Sequence, residues 1–146
     1  MADSIREKIL AELVTRLGST TGVAGRVFRS RMEAVQRNEM PAIIVMPVTE
    51  NAEQRTSSCR VDKKLTVTVM ALVHDDVPDR AADPILQDAH KRILPTVAGR
   101  IDFTLGGLAI DIEEDGTDFR LAATDGVIAA SYTIWYRHAT ADMATA

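Results

Sequence analysis

The sequence predicts an α+β fold, a mainly antiparallel β-sheet with two α-helices packed on one face and a long β-hairpin loop. Three observations carry that prediction. Lys64 to Val73 alternates Leu65, Val67, Val69, Ala71 and Val73 with Thr66, Thr68, Met70 and Leu72, the period of a strand. Asp3–Leu17 and the segment opening at Asp83 instead repeat apolar residues at helical spacing. The polar run Glu50–Asp62 separates two strong strand patterns, where a long hairpin loop or a pair of protruding strand extensions fits.

The first helix has Ser4 and Glu7 at capping-box spacing, an apolar stripe of Ile9, Leu10, Leu13, Val14 and Leu17, and Gly18 at its end. Arg26–Arg31 is a short strand candidate, followed by an irregular polar stretch to Met40. Ala42–Thr49 is a second strand, and Pro47 predicts an edge position or a bulge, because proline has no amide to donate. Beyond the long strand, Asp83 and Pro84 read as N-cap and N1 of the second helix, with Ile85, Leu86, Ala89, Ile93 and Leu94 inward and Pro95 as its stop. Leu105–Ile112 holds a Gly-Gly turn and an alternating stretch; Glu113–Thr117 reads as an acidic turn before a short strand at Asp118–Ala123. Gly126–His138 is the last long strand, with Ile128, Ala130, Tyr132, Ile134 and Tyr136 on its apolar side.

The 146 residues suit one domain, read as 1–138 with a flexible tail at 139–146. With 46% hydrophobic and 26% charged residues the composition is that of a globular protein. A formal net charge of −4 argues against a bulk polyanion binder. The single Cys59 excludes an intramolecular disulfide and a thiol-only zinc site. No apolar run approaches the roughly 20 residues of a membrane helix, and MADSIREK lacks a secretory core. Synthesis in a reducing cytoplasm, without membrane association, is expected.

Candidate chemistry is sparse. His74, Asp75, Asp76 and Asp79, with Asp83 behind them, form the most metal-like cluster, but a solvated turn before a helix accounts for the same residues. Asp111, Glu113, Glu114, Asp115 and Asp118 are a second acidic set, and a nuclease of the Asp-Glu-Lys type would need a lysine that does not occur after Lys91. Cys59, His90 and His138 read as structural or incidental, with His90 on the solvent side of its helix. No catalytic residue, metal or cofactor is therefore assigned. The basic residues divide from the acidic ones: Arg26, Arg29, Arg31 and Arg37 crowd the first strand, and Arg55, Arg60, Lys63 and Lys64 flank the polar run. Either copies of the chain meet head to tail or the surface is simply of mixed charge.

The whole order resembles the tail-terminator family of long-tailed bacteriophages, the group that includes the lambda-type minor tail protein. The matching stretches are the capped first helix, MPAIIVMP at 40–47, KLTVTVMALVHDD at 64–76, the helix from Asp83, LGGLAIDIEEDG at 105–116 and GVIAASYTIWYRH at 126–138. The resemblance implies a structural subunit, without enzyme activity, in a hexameric ring at the head-proximal end of the tail tube. Such a ring stops tube polymerisation and offers a surface for head attachment. Implied partners are further copies, the tail tube protein and a head-completion or connector protein, with DNA only passing through the lumen; the implied location is the virion. Head-completion proteins of the neck share much of the fold and form the alternative, and a metal-dependent enzyme using the His74 cluster is a more distant one. From the residues alone, Arg29, Arg31, Arg55, Arg60, Lys63, Lys64, Thr66, Thr68 and Met70 are the candidate interface.

Overall fold

The structure is a computed structural model and describes residues 2–55 and 59–146, with the backbone alone for 53–55. Helix α1 (Ile5–Leu17) begins where the Ser4 hydroxyl accepts the Glu7 amide at 3.1 Å. It buries Ile5, Ile9, Leu10, Leu13 and Leu17. Strands β1 (Val27–Arg29), β2 (Ala42–Arg55) and β3 (Arg60–His74) follow, with one 3₁₀ turn at Arg37–Glu39 between the first two. Helix α2 (Pro78–Ile93) leads into a small hairpin of β4 (Thr96–Val97) and β5 (Arg100–Ile101), turning on Ala98 and Gly99, both at positive φ. Strands β6 (Asp111–Ala122) and β7 (Asp125–Ala139) complete the main sheet, in the order β1-β2-β3-β7-β6.

This is the expected α+β architecture, with every pairing in the main sheet antiparallel except β1 with β2. Both helices lie on one face, over Ile43, Val45, Leu65, Val67, Val69, Ala71, Val73, Ile128, Ile134 and Tyr136, all at most 1% exposed. At roughly 25 cal/mol per Å² of apolar surface removed from water, this single layer is the main stabilising term. The alternation read from β3 is the alternation observed: odd residues from Leu65 are buried and even ones half-buried.

Of the two forms expected for the polar run, the strand extensions are the one found, since β2 continues to Arg55 and β3 starts at Arg60. The extension does not stand alone, because β7 follows β3 to its start and pairs Ala139 with Arg60. Three other segments differ from expectation. Helix α2 starts six residues before Pro84, with Pro78 near its N-terminus and Pro84 inside the helix. The Asp75 carboxylate accepts the Val77 amide at 2.8 Å, and buried Pro78 and Ala82 anchor the early turns. The acidic residues from Glu113 lie within continuous β6 rather than in a turn. Residues 139–146 fold back: the Met143 carbonyl accepts the Ile5 amide at 2.9 Å, and the Thr145 carbonyl accepts that of Ala139 at 2.6 Å.

Two bulges decide which side chains face the helices. The register of β2 against β3 shifts between Pro47 and Thr49, so Pro47 opposite Val67 and Glu50 opposite Leu65 both point to the helix side. The proline expectation holds in both forms, since Pro47 also lies past the end of β1. On β6 the shift falls between Glu114 and Gly116, and Gly116 has φ +150°, a conformation that side-chain-bearing residues rarely adopt.

Candidate assembly surfaces

The sheet face away from the helices is the first candidate. Phe28, Ile44, Met46, Thr66, Thr68, Met70, Leu72, Val127, Ala129, Ser131, Thr133 and Trp135 point there, as the registers require. The chain covers part of this face itself. Phe28 lies beside Ile44, the Arg31 guanidinium sits 4.5 Å from the Phe28 ring, and Ala42 and Ile44 are buried. The connector from β1 to β2 then reaches the far end, where Arg37 comes within 3.9 Å of Asp125 and Met40 lies near Val127. Among the described residues the middle has no such layer. Thr68, Met70, Ala129 and Ser131 floor a depression of about 200 Å³ edged by Asp118 and Arg120, with the Thr68 and Ser131 hydroxyls 3.4 Å apart.

The expected interface residues do not form one surface. Thr66, Thr68 and Met70 lie together on the open face. Lys64 joins them, its ammonium 5.3 Å from the Trp135 ring, whereas Lys63 points to the helix side opposite Tyr136. Arg60 is exposed at the start of β3, and the Arg55 side chain lies outside the described residues. Arg29 and Arg31 sit at the other edge and are not brought to the hairpin end. The Arg29 guanidinium donates two hydrogen bonds to Glu7, at 2.5 and 2.6 Å, and that of Arg31 donates two to Glu39, at 2.7 and 3.0 Å. These arginines hold the Glu7 and Glu39 carboxyls below the ordinary carboxylate range.

A second surface had no counterpart in the sequence reading. Between α2 and the β6–β7 pair runs a groove of about 360 Å³, floored by Leu86, Phe119, Ile128 and Ala130 and rimmed by Asp83 and Glu114. His90 belongs to it and does not face open solvent as expected: its Nδ1 is 2.9 Å from the Tyr132 hydroxyl and 3.6 Å from Glu114. Burial, and then the Glu114 charge, push the Tyr132 phenol up from 10.0 to about 12. After Gly116, Phe119 and Leu121 alternate with polar neighbours, and a parity change at that glycine was the available signal.

The metal-like cluster does not converge: His74 pairs with Asp125 at 2.7 Å, the Asp75 carboxylate accepts the amide of Val77 just before α2, and Asp76 and Asp79 are exposed. Among the described residues, no three His, Cys, Asp or Glu side chains are grouped as a metal ion would need. Cys59 is exposed, and His138 is buried with Nδ1 2.6 Å from the Ala139 carbonyl oxygen. Among the described residues no helix is long and apolar enough to cross a membrane. No protein-family model matches the chain, and no curated protein matches it either.

Proposed function

We propose that the chain is a structural ring subunit of the tail-terminator type. Copies assemble on the head-proximal end of a tail tube, stop its growth and offer a surface for a head-completion protein. The observation that carries the reading is the unfilled middle of the open sheet face. Met70, Ala129 and Ser131 stand there between two half-covered ends, on a sheet whose other side already has its helices. A half-apolar sheet face of this kind is stable against a second layer, and another copy or an axial partner supplies one. The order of elements, which carries the resemblance to tail terminators, fits the same reading.

Sedimentation velocity of the purified chain, alone and with tail tubes, tests it. The expected result is a discrete oligomer that binds tube ends. A monomer at every concentration, unable to bind tubes, would overturn the proposal. Particles made without the protein separate termination from joining: overlong tails support the reading, and normal-length tails detached from filled heads assign the chain to the neck instead.

A further inference from the structure

Strand β6 is the last of the main sheet, and among the described residues no strand lies beyond it. Alternate backbone amides and carbonyls, those turned away from β7, are left for an added strand. The edge is long, with every residue from Glu113 to Ala122 exposed. Its two sides differ. The register with β7 puts Asp111, Glu113 and Asp118 on the side of the open sheet face, opposite Trp135, Thr133 and Ala129. The Asp115 carboxylate reaches the same side, where it accepts the Thr133 hydroxyl at 2.5 Å. Among the described residues none of these four carboxylates is paired with a lysine or arginine, and Arg120 is the only basic residue of the strand.

On the helix side stand Thr117, Phe119 and Leu121, opposite Ala130, Ile128 and Gly126. Phe119 is 61% and Leu121 52% exposed. Phe119 forms a wall of the groove over Leu86, Ile128 and Ala130, whose rim carries Asp79, Asp83 and Glu114 against Lys91. Carboxylates alone would guard an edge against pairing, whereas Phe119 and Leu121 gain from burial beside an added strand. The strand of a second copy does not suit this edge. Two β6 strands would oppose their carboxylates. Arg29 of β1 is tied to Glu7, β2 has no lysine or arginine between Met46 and Gln54, and β4 and β5 have two residues each.

We infer that β6 takes up an extended segment of another protein in which basic and apolar residues alternate, added as a further strand of the sheet. Main-chain hydrogen bonds to the open edge hold it. Because side chains of a strand alternate, one row enters the groove beside Phe119 and the other runs past Glu113 and Asp118. Apolar residues fit the first row, and lysines or arginines the second. This docking edge is independent of the ring reading, which rests on the open sheet face.

The probe is the capped peptide Lys-Val-Lys-Val-Lys-Val-Lys, added to the full chain beside the block peptide Lys-Lys-Lys-Lys-Val-Val-Val of equal composition. Fluorescence anisotropy should show the alternating peptide binding about tenfold tighter or more, since only it presents both rows at once. Glu113→Lys combined with Asp118→Lys, and separately Phe119→Ser, should each weaken that binding by about tenfold. Amide hydrogen exchange should slow along β6 and not along β2 when the peptide binds. Equal binding of the two peptides would reduce the edge to a charged surface and overturn the inference. So would absence of binding, protection confined to other strands, or undiminished binding by the charge-reversed variant. If Phe119→Ser melts below the wild type, the charge-reversed variant and the exchange pattern decide. Protection of β6 by self-association of the wild type alone would give the edge to a second copy and sink the proposal.

Discussion

Glu50 is a polar residue in a polar run, yet its carboxylate accepts hydrogen bonds from Arg6, at 2.6 Å, and from the Tyr136 hydroxyl, joining α1, β2 and β7. Nothing in its sequence neighbourhood announces this, because the bulge after Pro47 turns it inward. Burial, followed by the Glu50 contact, raises the Tyr136 phenol above its ordinary value. Tyr132 is raised as well, to about 12, by burial and Glu114. Both tyrosines are favoured neutral in the fold, so their contribution to stability is complete below pH about 10, the unfolded value, and is lost as pH rises through the folded values. Urea unfolding between pH 9 and 12 should therefore show falling stability. Tyr132→Phe should flatten that fall and, by losing the His90 hydrogen bond, cost about 0.5–1.5 kcal/mol at neutral pH. An unchanged alkaline slope in the variant would count against this account.

At the scale of elements, legibility followed periodicity. Strand β3 and helix α1 were readable because their buried residues recur at one unbroken period, and β7 because its alternation is broken only at half-buried Ala130 and buried Thr133. Strand β6 was not, because the bulge before Gly116 moves the helix-facing positions from Ile112 and Glu114 to Thr117, Phe119 and Leu121, and the two halves look unrelated in sequence. Helix α2 was placed too late because Asp-Pro at 83–84 imitates a helix start, while the real start rests on tertiary burial of Pro78 and Ala82. Of the candidate interface, the open-face residues could be read from alternation alone. The groove could not, since it depends on where α2 ends up relative to β6. Packing at that junction is tight: a Cβ on Gly126 would lie 2.5 Å from Pro78 Cβ. Gly126→Ala should separate the starts of α2 and β7 and cost roughly 1–3 kcal/mol. A denaturant midpoint equal to that of the wild type would show that the junction yields freely.

For the molecule as a whole, neighbouring residues of β3 separate folding from assembly. Val69 is 1% exposed beneath the helices, and Met70 points the other way into the open depression. Val69→Asp buries an unpaired carboxylate and should cost on the order of 4 kcal/mol or more, enough to unfold a marginal domain. Met70→Asp should change stability by about 1 kcal/mol or less while weakening assembly. Circular dichroism with sedimentation of the two variants distinguishes these outcomes, and a Met70→Asp protein that assembles like the wild type would exclude the open face from the contact.

The position of β3 also sets an order of events in time. Its ladder with β2 is a hairpin and can close as soon as residues 42–74 have left the ribosome. Its second ladder joins residues far apart in the chain, up to Arg60 with Ala139, and must wait for α2, β6 and β7 to be made. During that interval the strand at the centre of the finished sheet is an open edge with an apolar face, the state in which nascent chains pair with one another. Slowing synthesis after residue 74 lengthens this exposure, whereas delivery of β7 ends it.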